Sequence, residues 1–197
     1  MILSDREIGA AIRTGALVIA PVPPEHLWSS MAVDLTLDRT LVRWKGGGRV
    51  VRPGAPGFNV RRLLEDPELA ETVPIPEGGF PLGPGRFVLG YTQQAIHLPR
   101  ASRLAARVEG KSSLARLGVG VHVTAPTIHA GFGDNPERQD EPGLPIQLEI
   151  FNLGDLTVAL DEGMSICQLI VEAIGEEPSK GYAGQFAGQR SFTELRP

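Results

Sequence analysis

A single cysteine, Cys167, leaves the chain of 197 residues with no intrachain disulfide, and no Cys-x-x-Cys pair is present to hold a zinc ion. Cys167 lies within the apolar run 164–171, where a thiol reads as a small buried hydrophobe, and the pattern suits a reducing compartment. No apolar run approaches the roughly 18 residues that suggest a membrane-spanning helix. The start, Met1-Ile2-Leu3-Ser4-Asp5-Arg6-Glu7, lacks a basic segment followed by an apolar stretch, so a cytoplasmic protein without membrane partners is expected. Positive charge is also scarce. The 19 Lys and Arg against 23 Asp and Glu give a net charge of −4, which argues against a broad nucleic-acid surface. A small polyanion is not excluded, because it needs only a few local donors.

Glycine and proline are what the chain has in plenty. The 24 Gly and 17 Pro suit tight turns between short strands better than long helices. Short apolar runs alternate with these turn residues at 31–37, 86–91, 120–124, 146–152, 156–160 and 164–171, giving a mostly β, mostly antiparallel sandwich or jelly roll. Hydrophobic residues at 42% and charged residues at 21% are globular values, and the length suits one domain over 1–197. Ser4 and Glu7 have capping-box spacing ahead of Ile8, Ala11 and Ile12, with Gly15 as a stop, which predicts a short opening helix. Residues 43–76 are expected as surface connections with a brief helix near 60–64, and residues 133–145 as an exposed loop between two strands. Beyond Gly175 the apolar periodicity fades, so 175–197 reads as a mobile arm.

Chemistry concentrates in three segments. Gly110-Lys111-Ser112-Ser113-Leu114-Ala115-Arg116-Leu117-Gly118 gathers two hydroxyls, two cations and the free N–H groups of a helix start, which suits phosphate. The same residues also fit an ordinary capped helix with solvated Lys111 and Arg116. In Gln147-Leu148-Glu149-Ile150-Phe151-Asn152, strand alternation puts Gln147, Glu149 and Phe151 on one face and Leu148 and Ile150 on the other. A carboxylate beside an aromatic in a closed pocket is able to take a proton from water and return it to a ring nitrogen or a leaving amine, as deamination requires. A solvent-facing acidic residue on a strand is the plainer alternative. The third segment, residues 122–133, carries His122 and His129 as candidate metal ligands or general bases. The His-x-Glu and Pro-Cys-x-x-Cys signature of zinc-dependent nucleobase deaminases does not accompany them, and no zinc is expected. His26 and His97 have no recognisable partner in the sequence and read as structural or surface residues.

Together these segments resemble the dCTP deaminase family, relatives of the trimeric dUTPases, over most of the chain. The resemblance rests on Met1-Ile2-Leu3-Ser4-Asp5-Arg6-Glu7-Ile8, on Ala32-Val33-Asp34-Leu35-Thr36-Leu37, on residues 111–118, on His122-Val123-Thr124-Ala125 and on Leu148-Glu149, where the family carries its catalytic glutamate. It implies a distorted antiparallel jelly roll of the dUTPase-like β-clip type, with a short N-terminal helix and a short helix at the phosphate site. It also implies a homotrimer with shared active sites and a C-terminal arm folded over the nucleotide. The implied activity is that of a hydrolase acting on the C–N bond of a cyclic amidine, taking dCTP to dUTP and ammonia, with magnesium arriving on the triphosphate.

By the same resemblance Glu149, Ser112 and Arg116 are catalytic, with Glu149 deprotonating the water that attacks C4 of cytosine. Lys111, Ser112, Ser113, Leu114, Ala115 and Arg116 meet the phosphates, while Ala125, His129, Gln147 and Leu148 shape the pyrimidine site. Gln168, Tyr182, Gln185 and Gln189 complete the substrate contacts. The chain departs from the family pattern in three places. His129, in Ile128-His129-Ala130-Gly131, stands where relatives often carry the aspartate with which dUTPases activate water, so pyrophosphate release is not expected. The 133–145 loop is longer than in compact members, and Gln185-Phe186-Ala187-Gly188-Gln189 lacks a Lys-Tyr pair that many relatives place there. Two other readings use the same residues: a dUTPase-type pyrophosphatase, and a nucleotide-binding regulator that keeps the fold without turnover.

Overall fold

The computed structural model describes residues 1–46, 48–121, 125–134 and 143–180. The chain opens as its capping box dictates. The Ser4 hydroxyl accepts from the Glu7 N–H, the Glu7 carboxylate accepts the Ser4 N–H at 2.7 Å, and α1 (Asp5–Arg13) starts there and buries Ile8 and Ala11. Five strands and a second helix follow: β1 (Val18–Ala20), β2 (Val33–Thr36), β3 (Thr40–Trp44), α2 (Val60–Glu65), β4 (Ala70–Pro74) and β5 (Phe80–Leu82). Then come β6 (Phe87–His97), β7 (Leu104–Gly110), α3 (Ser112–Ala115), β8 (Val119–Val121), β9 (Thr127–Ile128), β10 (Leu144–Asn152), β11 (Val158–Leu160) and β12 (Ser165–Ala173).

The strands pair antiparallel in a sheet ordered β4-β3-β6-β10-β8, with β1 also on β6, in a second sheet ordered β2-β12-β7-β9, and in a two-stranded sheet of β5 and β11. Leu41, Val88, Leu148 and Ile150 of the first sheet meet Leu35, Val108, Leu169 and Val171 of the second in one apolar core. This is the jelly-roll arrangement expected from the alternation of short strands with turns. Among the described residues no helix is long and apolar enough to cross a membrane.

Segment 43–76 differs from the expectation of surface connections. Its ends are strand, with β4 laid along β3 from Thr40↔Pro74 to Trp44↔Ala70, because Ala70-Glu71-Thr72-Val73-Pro74 is itself a short β-compatible run. The brief helix expected near 60–64 is α2, capped by the Asn59 side chain accepting from the Arg61 N–H. β10 already begins at Leu144, inside the 133–145 segment expected as a loop; residues 135–142 lie outside the described part. His97 has a partner after all, since its Nε2 lies 2.7 Å from Asp134 Oδ1.

Opposite residues of an antiparallel pair share a face, so the register fixes what stands behind the core. Leu89 lies across from Glu149 on one side and Val42 on the other, Tyr91 across from Gln147, and Phe87 across from Phe151. This outer face carries a second apolar cluster of Val42, Ala70, Leu89 and Tyr91, with Leu64 of α2 packed against it.

Candidate active site

The central strand of the site is β10, whose residues alternate strictly between buried and half-buried from Leu144 to Asn152. Its parity sends Leu148 and Ile150 into the core at 0% exposure and leaves Gln147, Glu149 and Phe151 on the outer face. A break in the ladder precedes them. Pairing steps from Pro145↔Ala95 to Gln147↔Tyr91, so that Thr92, Gln93 and Gln94 stand opposite Ile146 alone. Pro145 brings no N–H to the ladder, and the orphaned Ile146 N–H donates instead to Thr92 Oγ1 at 2.9 Å. Thr92 Oγ1 in turn donates to the Gln94 carbonyl, and the Gln94 amide donates to Thr36 Oγ1 and accepts the Thr36 N–H. This buried network ties β2, β6 and β10 together at the point where β10 turns its polar residues outward.

Outside that point lies a cavity of about 460 Å³. Its polar lining comes from Gln147, Glu149, Thr127, His129 and Tyr91, whereas Trp44, Val60, Leu64, Phe87, Leu89 and Phe132 make most of the remainder carbon. A largely apolar recess with a few converging polar groups is the usual form of a small-molecule site. Glu149 and Gln147, two residues apart on one strand face and so about 7 Å apart along it, offer a proton-accepting carboxylate beside an amide that both donates and accepts.

The phosphate-type segment folds next door in the chain. Lys111 stands at the start of α3 and Ser112 and Ser113 open it, both exposed, while Leu114 is buried in the core and anchors the turn. The Lys111 ammonium pairs with the Asp34 carboxylate, the two side chains being 25% and 15% exposed. Lys111 is therefore a neutralised, half-buried tether and not the solvated cation of an ordinary capped helix. Gln168, beside Asp34 in the β2–β12 ladder, donates to the Gly110 carbonyl at 3.4 Å. Next to this pair Cys167 is fully buried, and burial, with the Asp34 charge behind it, pushes its thiol well above the usual range.

Two glycines seat this segment on the sheet. Gly118, at φ +87°, ends the turn after α3, and a Cβ there would strike the backbone of Gly154. Gly120 leaves room for the Phe151 ring, which lies where its Cβ would stand.

Of the residues singled out by sequence, the cavity brings together Ala125, His129, Gln147 and Glu149. Lys111, Ser112, Ser113, Leu114, Ala115, Arg116 and Gln168 are not in its wall. Leu148 does not reach it either, because strand parity commits its side chain to the core on the opposite face. Tyr182, Gln185 and Gln189 lie outside the described residues. Sequence reasoning missed Trp44, Val60, Leu64, Phe87, Leu89, Tyr91, Thr127 and Phe132. The alternation Phe87, Leu89, Tyr91 was a usable signal, but β6 is apolar on both faces and does not say which one meets the site.

Residues 2–174 match the model of the family described as dCTP deaminase-like. The chain is 38% identical over 188 residues to a protein of Rhodospirillum rubrum named dCTP deaminase, with 93% of this chain and 88% of that one covered. It is 35% identical over 197 residues to an Aquifex aeolicus protein named dCTP deaminase, dUMP-forming, with 100% and 94% covered. The solved structure of 2'-deoxycytidine 5'-triphosphate deaminase from Agrobacterium tumefaciens shares the fold at a TM-score of 0.62 and 20% identity. That match covers 88% of this chain, which spans 48% of the longer one.

Proposed function

The chain belongs to the dCTP deaminase-like family, and we propose that it hydrolyses dCTP to dUTP and ammonia in the cavity beside β10. The observation that carries this is the Glu149 carboxylate, turned by strand parity into an apolar recess with the Gln147 amide beside it. Glu149 takes a proton from water as the oxygen adds to C4, and returns it to N3, which receives the C4–N3 π pair. Glu149 then carries the proton of the new C4 hydroxyl to the exocyclic amine, the C4 carbonyl forms as the C4–N bond breaks, and ammonia leaves a uracil ring. Gln147 holds the pyrimidine edge by donating its amide N–H to O2.

Ser112, Ser113 and Arg116 are proposed to take the phosphates, with Lys111 placing them through its tie to Asp34 and magnesium carried by the triphosphate oxygens. Because α3 is not in the wall of the Glu149 cavity, a site completed by the α3 of a second copy in a homotrimer fits this division of labour.

The name of the Aquifex aeolicus relative favours a second product, dUMP, which requires a further water attack on the triphosphate. His129 stands in the cavity wall in place of the aspartate that this step would use as its base, and this favours dUTP. Purified protein incubated with dCTP and magnesium, with ammonia and pyrophosphate assayed in one tube, separates the two. Ammonia without pyrophosphate is expected; equal amounts of both identify the dUMP-forming reaction, and neither product removes the deaminase reading.

A further inference from the structure

We infer that the cavity is shaped for a cytosine carrying an apolar substituent at C5, so that 5-alkyl or 5-alkynyl dCTP is used better than dCTP itself. The inference rests on the deaminase reading and narrows its substrate class. A dry cavity of about 150 Å³ already holds a six-membered aromatic ring, whereas this one measures about 460 Å³. The surplus is not equipped for a sugar or a phosphate. Val60, Leu64, Phe87 and Leu89 offer no hydrogen-bonding side-chain atom, and the polar side chains of the lining are Gln147 and Glu149 on β10, Thr127 and His129 in and just after β9, Tyr91 across from Gln147, and Trp44 through its single indole N–H.

Register places the surplus relative to the reacting carbon. C4 must sit at Glu149, and with O2 and N3 turned to Gln147 the C5–C6 edge faces the other way along the strand. The residue directly across from Glu149 is Leu89, followed on that face by Phe87 across from Phe151. One strand further out, Val42 pairs with Leu89, and Trp44 follows it on the same face. Val60 and Leu64, spaced i and i+4 on α2, present one apolar stripe to the same cavity. C5 is bonded to C4, so a group attached there enters this carbon-lined end without moving C4 from Glu149.

The test compares kcat/KM for ammonia release from dCTP, 5-methyl-dCTP and 5-propynyl-dCTP by the full chain. The expected order is rising, with the propynyl compound at least about tenfold above dCTP, the usual scale for filling an apolar pocket by a few carbons. Because an alkynyl group also alters the ring's intrinsic reactivity, the ratio is repeated in Leu64→Trp, which fills the apolar end. There the propynyl-to-dCTP ratio is expected to fall at least tenfold, while in Leu64→Ala, which enlarges the end, it stays above one. A wild-type ratio of one or below, or a ratio that Leu64→Trp leaves unchanged, overturns the inference while dCTP is still deaminated. Loss of ammonia release from every one of these nucleotides instead defeats the deaminase reading beneath it.

Discussion

Glu149 and Glu7 show how differently two carboxylates of one chain are employed. Glu149 faces a largely apolar cavity, whereas Glu7 is fully exposed and closes the capping box of α1. Hydrogen bonds from the Ser4 backbone, then from its side chain, hold the Glu7 carboxyl below its ordinary value. A carboxylate with a depressed folded-state pKa contributes stability above its unfolded value and loses it as pH falls through the folded one. Glu7→Gln is therefore expected to lower the unfolding midpoint at neutral pH, and the difference from wild type should shrink once the medium is acid enough to protonate Glu7. Urea titrations of both proteins across that range check it, and a difference independent of pH would contradict the capping role. Lys111 gives the matching lesson for cations. Its sequence context suggests a phosphate ligand, but its first partner in the fold is Asp34 on a strand 77 residues away in sequence, which local reading does not reveal.

At the scale of elements, the site depends on how α3 and β10 are seated. A Cβ at Gly118 would meet Gly154 backbone while also opposing a φ of +87°. Gly118→Ala is expected to cost more than about 1 kcal/mol, beyond the usual penalty for Ala at a positive φ. It should also lower kcat/KM for dCTP at least tenfold by shifting α3. Thermal unfolding and steady-state assays check both; a stable variant with unchanged kinetics would show that α3 does not need this seat. Much of β10 was legible, since strict alternation put Gln147 and Glu149 on one face and Leu148 on the other before any fold was known; that Leu148 faces the core and not the pyrimidine emerges only from the packing of the two sheets. β7 was not. Leu104-Ala105-Ala106-Arg107-Val108-Glu109-Gly110 is rich in helix formers, and only the partner strand β12 reveals its period of two. The interruption at Ile146 was equally hidden, because it depends on Thr92 and Gln94 across the sheet.

At the scale of the whole molecule, an antiparallel sandwich or jelly roll followed from many short strands between Gly and Pro turns, and the family from a few motifs between Met1 and Glu149. The apolar end of the cavity did not follow, because Trp44, Val60 and Leu64 belong to a segment whose composition reads as solvent-facing. It is tertiary placement across β3 and β6 that turns them inward. Separation of the Glu149 cavity from α3 within one chain leads to an expectation about assembly: three chains of 21.1 kDa should sediment together at micromolar concentration. A fully active monomer would contradict the shared site.

Glu149 is the proposed proton carrier, and Glu149→Gln tests that role with little change in shape. Ammonia release from saturating dCTP is expected to fall by about 10²–10⁴-fold, the range for loss of a general acid–base group, while dCTP affinity stays within a few-fold of wild type. A variant that still releases ammonia at a rate near that of wild type would show that the chemistry lies elsewhere in the molecule.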